Sequence, residues 1–244
     1  MKLIVVCLGL LMVAELAKAS DCVVLVHGLI RSPSAMSKLE EKLQAAGYQV
    51  VNVGYPSREH NIETLATMAI DEGLNRCELL DTSLETTLET TKVHFVTHSM
   101  GGILVRQYFE EHEPTMVGRV VMLGPPNHGS EVVDKFGGIP GFKWLNGPAG
   151  IQLGTDTNDL PKSLGPVNFE TGIIAGNRSI NWILSQFIPK PNDGKVSVQS
   201  TKVEGMRDFI EVAATHTFMM NNDLVIRQVM GFLKNGKFIK EPVR

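Results

Sequence analysis

Short, uninterrupted apolar runs alternate along this chain with segments of helical spacing, and few folds accommodate that alternation. Val23 to Val26 carries no polar residue, as a strand buried on both faces requires. Ser34 to Ala46 follows with Met36, Leu39 and Leu43 on one side, and Gly47 stops it. Tyr48 to Val53 reads as a second strand, and Ile62 to Leu80 as a helix with Leu65, Met68, Ala69 and Leu74 on a stripe. Val93 to Thr97 is a third strand, Met100 to His112 a third helix and Arg119 to Leu123 a fourth strand. Thr171 to Ala175 and Phe209 to Ala213 complete six, and a helix from near Asn222 to Lys234 follows, before Gly236. Strands that alternate with helices pair in parallel and are covered on both faces. The expected fold class is therefore α/β, a doubly wound, mostly parallel six-stranded sheet. With 244 residues and 43% hydrophobic content, the chain can bury one such core.

Two stretches interrupt the alternation. Gly124 to Gly165 is rich in Gly and Pro and carries Phe136, Phe142, Trp144 and Leu145. Ser179 to Ile188 is a second apolar insertion, expected to hold a short helix, with Trp182, Ile183 and Phe187. Both follow strand ends where open α/β sheets place ligands, so cap-like insertions are expected over about 125–165 and 178–191. Ordinary core is the alternative reading of their large side chains. Residues 81–91, rich in Ser and Thr, read as a solvated connection.

The first residues have the layout of a signal peptide. Lys2 precedes an apolar run from Leu3 to Ala14, and Ala17-Lys18-Ala19 offers a cleavage site before Ser20. The run is short for a bilayer span. A buried first element is the alternative, and Asp21-Cys22 leaves a lipoprotein reading open, although Asp is a poor neighbour for a lipidated cysteine. The expected organisation is a signal over 1–19 and an exported domain over 20–244, periplasmic or secreted. Export would leave Cys22 and Cys77 in an oxidising compartment. Cys22 opens a parallel strand, and Cys77 lies near the end of a helix running antiparallel to the strands. Both places fall at one edge of the sheet, so the pair can meet as a disulfide; two unpaired core thiols are the alternative.

The chemistry centres on V-T-H-S-M-G-G, Val96 to Gly102. A serine between a buried strand and a helix can be a nucleophile held in a strained turn, and small flanking residues such as Gly101 and Gly102 permit the crowding there. An ordinary serine cap of the helix is the alternative. A nucleophilic serine needs a positioned base. His216, in A-A-T-H-T-F-M-M, follows the last strand and meets that demand. The acid that orients it should follow the fifth strand, where Asp193 sits in P-K-P-N-D-G-K-V; Asp159 and Asp208 are weaker candidates. Oxyanion donors are expected from the backbone N–H groups of Met100 and Leu29, with Gly28 allowing close approach and His27 bracing the loop. His128, after the fourth strand, is a candidate cleft residue.

Five segments carry a family resemblance: V-L-V-H-G-L (24–29), H-F-V-T-H-S-M-G-G-I-L-V-R (94–106), L-G-P-P-N-H-G-S (123–130), N-D-G-K-V (192–196) and T-H-T-F-M-M (215–220). Together they resemble the α/β-hydrolase superfamily, and within it small exported bacterial lipase/esterase-like serine hydrolases. The resemblance implies an acyl-enzyme mechanism with Ser99, Asp193 and His216 as triad. Two departures stand out. Thr97 replaces the usual glycine two residues before the serine, and two antiparallel strands that often precede the first parallel strand have no room. Ser99 is nevertheless expected to show positive φ, with Thr97 packed beside the turn.

The expected activity is hydrolysis of a carboxylic ester, on a small-molecule or lipid substrate. An acyltransferase or thioesterase with the same triad, or a non-catalytic binding protein on this scaffold, are the alternatives. A net charge of −3 and the absence of a polybasic run argue against a nucleic-acid partner. No cofactor is expected and no residues show metal-ligand spacing. Transient contact with a lipid surface is left open.

Overall fold

β1 (Cys22–Val26) is buried along its whole length and lies inside a sheet of order β2-β1-β3-β4-β5-β6. The other strands are β2 (Gln49–Val53), β3 (Val93–His98), β4 (Val117–Leu123), β5 (Glu170–Gly176) and β6 (Asp208–Val212). Each neighbouring pair is parallel, so the sheet is wholly rather than mostly parallel. A computed structural model of the chain describes residues 21–80, 92–180 and 182–240, excluding the side chain of Trp182. The expected signal segment (1–19) and the Ser/Thr-rich connection (81–91) lie outside the described residues.

Alternate strand residues face opposite layers, as the two-residue period requires. Val24, Val26, Phe95, Val120 and Met122 pack with α2 (Ile62–Leu80) and α3 (Met100–Glu111). Val23, Leu25, Val96, Val121 and Leu123 form the other core, with α1 (Ser37–Ala45) and the last helix, Asp223–Asn235. The segment expected as one helix from Ser34 begins instead as a tighter 3-10 turn, Pro33–Met36, before α1. Proline at its first position presets φ and needs no amide partner. The Asp223–Asn235 helix starts where Asn222 Oδ1 accepts from the N–H groups of Leu224 and Val225, at 2.9 and 3.2 Å. It ends at Gly236 with φ 68°.

The connections at the carboxyl ends are elaborate. After β4 come α4 (Glu131–Phe136), α5 (Phe142–Ile151) and α6 (Leu160–Ser163). After β5 come α7 (Trp182–Ser185) and α8 (Val198–Thr201), which makes the Asp223–Asn235 helix α9. At the opposite edge, Cys22 and Cys77 form a disulfide with their Cα atoms 5.8 Å apart. Among the described residues, no helix is long and apolar enough to cross a membrane. The path leaves β1 outward to β2 and then returns past β1 to β3. That reversal opens a crevice beyond the carboxyl ends of β1 and β3, where sheets of this kind bind ligands.

Candidate active site

Ser99 stands in this crevice, between β3 and α3, with φ 54° and ψ −124°. Backbone in this region costs a residue with a Cβ roughly 1–3 kcal/mol, a strain typical of functional positions. The turn is closed by neighbours. The Ser99 N–H donates to the Leu123 carbonyl at 2.9 Å, and the Gly102 N–H donates to the Ser99 carbonyl at 3.0 Å. A Cβ on Gly101 would stand 2.4 Å from the Val26 carbonyl oxygen, so no larger residue fits there without displacing the turn. Thr97 is fully buried, with its hydroxyl beside Gly102, and it does not open the turn. Its Oγ1 has no hydrogen-bond partner among the described residues.

The sheet brings the other expected residues to Ser99. The Ser99 hydroxyl donates to His216 Nε2 at 2.9 Å, and His216 Nδ1–H donates to Asp193 Oδ2 at 2.7 Å. Asp193 is 2% exposed, and its Oδ1 accepts from the N–H groups of Lys195 and Val196, at 3.0 and 2.8 Å. These bonds fix the carboxylate in its loop and aim its second oxygen at the imidazole. The His216 N–H also donates to the Asp193 carbonyl at 3.1 Å, which joins the two loops. Asp159 and Asp208 are elsewhere, accepting from the N–H groups of Asp156 and Phe238.

The loop after β1 faces the turn. A Cβ on Gly28 would lie 3.0 Å from Ser99 Cβ, which is why glycine is needed there. His27 is buried, stacks on Tyr55 with centroids 4.2 Å apart, and donates from Nδ1 to the Gly28 carbonyl at 2.9 Å. Burial holds its pKa below the ordinary value, against the pull of that bond. It braces the loop, and Leu29 lines the crevice beside Ser99. Ile30 follows with φ 56°, a rare conformation for a β-branched residue. Its N–H is fixed by Ser57 Oγ at 3.1 Å.

Three residues beyond those singled out in the sequence shape the site. His98 is 2% exposed, and its Nε2–H donates to the His216 carbonyl at 2.9 Å. Burial, then the neighbouring His216, hold its pKa well below the usual range. Asn192 is buried and gathers the loop before Asp193. Its amide donates to the carbonyls of Ile188 and Ser185, and its oxygen accepts from the Gly194 N–H at 3.0 Å. Tyr55 donates to the His27 carbonyl. The H-S pair and the N-D-G triplet mark two of these residues in the sequence; nothing local marks Tyr55. His128 is exposed and does not line the crevice, contrary to expectation; its N–H is bonded to the Ser200 carbonyl at 2.9 Å.

The crevice is a cavity of about 500 Å³. Val133, Phe136, Ile139, Phe142 and Leu145, from the insertion after β4, form its apolar wall, and Leu184 of α7 adds to it. Trp144, expected among the cap residues, is 82% exposed and does not line the cavity, whereas its α5 neighbours Phe142 and Leu145 do. Among the described residues, no group of His, Cys, Asp and Glu could hold a metal ion.

A strained serine at a β-strand–helix turn, a histidine after the last strand and a wholly parallel sheet define an α/β-hydrolase. Residues 22–162 match the model of the palmitoyl protein thioesterase family, and the chain belongs to that family. Solved structures of similar fold include mature Bacillus licheniformis lipase BlEst2 (20% identity, 88% of this chain and 92% of that one covered, TM-score 0.68). Aspergillus fumigatus lipase B is similar over 88% of this chain but 53% of its own length (16% identity, TM-score 0.62). The metagenomic carboxyl esterase MGS0156 is another (18% identity, 82% and 65% covered, TM-score 0.60). No curated protein sequence matches.

Proposed function

We propose that this chain is an exported serine hydrolase that cleaves carboxylic esters of apolar acyl groups. The observation that carries the reading is the Ser99–His216–Asp193 hydrogen-bonded relay at the edge of an apolar cavity. His216 Nε2 takes the Ser99 proton as Oγ attacks the acyl carbonyl, and Asp193 stabilises the resulting imidazolium. The N–H groups of Met100 and Leu29 hold the oxyanion. His216 then gives the proton to the leaving oxygen. Water, deprotonated by the same imidazole, attacks the acyl-enzyme and frees the acid and Ser99. The apolar run, Ala17-Lys18-Ala19 and the Cys22–Cys77 disulfide support export. The insertions after β4 and β5 act as the cap over the acyl chain.

A thioester substrate is the second reading, favoured by the family to which the chain belongs. The same relay serves both, since only the leaving atom changes. Turnover of one acyl chain on paired oxygen and sulfur leaving groups separates them. A neutral fluorophosphonate should label Ser99 and leave Ser99→Ala unlabelled; full ester turnover by Ser99→Ala sinks the mechanism.

A further inference from the structure

The charged residues lining the cavity are a mismatched set. Arg31 and Lys195 line it together with Ser99 and His216, and no Asp or Glu among the described residues does. The chain as a whole carries a net charge of −3, so two cations here are not a reflection of its composition. Neither side chain has an ion-pair partner among the described residues. Asp193, the carboxylate that acts on Lys195, is already committed to His216 and to two backbone N–H groups.

Both cations are delivered by the machinery of the site. Arg31 follows the Leu29 loop and comes directly after Ile30, whose left-handed backbone is clamped by Ser57. Lys195 is two residues past Asp193, and its N–H is bonded to that carboxylate. Desolvation, and after it the charge of Arg31, disfavour the charged form of Lys195, although both side chains keep exposure to solvent at the rim of the cavity. Two like charges side by side repel each other, and that repulsion is relieved when an anion binds between them. Arginine offers a planar fork and lysine a point charge, a combination suited to phosphate.

We propose that Arg31 and Lys195 form an anion subsite at the mouth of the Ser99 cavity, so that the substrate is an acyl ester or thioester whose leaving portion bears a phosphate. The inference rests on the hydrolase reading above. The apolar wall takes the acyl chain and leaves the charged portion at the mouth. A glycerol phosphate and the phosphates of coenzyme A share this chemistry.

The test compares substrates with one acyl chain. Octanoylglycerol 3-phosphate is set against octanoylglycerol, and octanoyl-coenzyme A against octanoyl-N-acetylcysteamine. In at least one pair the phosphate-bearing member should show kcat/KM about tenfold higher or more, and that pair identifies the source of the phosphate. Arg31→Gln and Lys195→Gln should each reduce the ratio, and the double variant should bring it within about twofold of one. Ratios near one in both pairs, or a ratio that survives the double variant, overturn the subsite. Binding to the Ser99→Ala protein by calorimetry needs no turnover, and the phosphate-bearing member of a pair should bind more tightly only while Arg31 and Lys195 are present. Equal affinity for both members of each pair also overturns it. Fluorophosphonate labelling of Ser99 reports separately on the nucleophile, so loss of labelling defeats the hydrolase reading, and equal affinities with labelling intact defeat the subsite alone.

Discussion

The carbonyl oxygen of His216 accepts a hydrogen bond from His98 Nε2 at 2.9 Å. The residue directly before the proposed nucleophile therefore holds the backbone of the proposed base, and their rings lie 4.9 Å apart. His98→Ala should lower kcat on an acyl ester about tenfold with little change in KM, since small displacements of a reacting group are costly. His98→Gln, which can still donate, should recover part of the loss. Steady-state kinetics on the two variants decides this, and equal kcat in wild type and His98→Ala would remove the positioning role.

His98 also links stability to pH. Burial and His216 hold its folded pKa well below the value of 6.5 that an unfolded histidine has. As pH falls below about 6.5 the unfolded chain gains a proton first, so the stability present above that value is lost down through the folded pKa. His27 and His94, both lowered chiefly by burial, act in the same direction. Urea midpoints at about pH 7.5 and 5 should fall with pH, and His98→Gln should narrow the gap. An identical gap in the variant would assign the effect to other groups.

Asp193 is buried against the His216 imidazole, and Asn in its place would keep the shape but lose the charge. Asp193→Asn should reduce kcat roughly 10³- to 10⁴-fold, because the amide favours the wrong imidazole tautomer. Circular dichroism should be unchanged. Activity within tenfold of wild type would point to a different acid.

Thr97 buries a hydroxyl without a partner. Thr97→Val replaces that hydroxyl with a methyl group of similar size and should stabilise the fold by about 1 kcal/mol. A lower urea midpoint in Thr97→Val would mean that the hydroxyl has a partner in solution.

The disulfide spans 55 residues of sequence. Constraint of an unfolded loop of that length is worth on the order of 4 kcal/mol in the chain-entropy picture. The Cys22→Ala/Cys77→Ala variant should lose about 2–4 kcal/mol of unfolding free energy. Unfolding curves that overlay for the two proteins would refute a stabilising role.

Most of the sheet was readable from the chain because each strand holds an apolar stretch between turns, and its boundaries fall within a few residues of those expected. Ser99, His216 and Asp193 were legible for a related reason, since each follows a strand end, and the parallel order carries those ends to one crevice. Asn192 and Tyr55 were not, because their partners are backbone carbonyls that only the folded loops bring near. The insertion after β4 holds three short helices that its Gly and Pro content does not announce. Helices of this length depend on packing more than on propensity, and Trp144 showed that an aromatic residue there need not face the cavity.

Among the described residues, the two non-glycine positions with left-handed backbone are Ile30 and Ser99, and both belong to the crevice. An engineer selecting this protein for heat tolerance would find the easiest gains there. Glycine at position 30 would relax the loop and improve survival at high temperature while loosening the edge of the cavity. Screens that score solubility or melting alone would therefore enrich impaired enzymes. A selection that also demands turnover should instead collect its changes at the opposite edge of the sheet, around Cys22 and Cys77, where the molecule can be hardened without touching its chemistry.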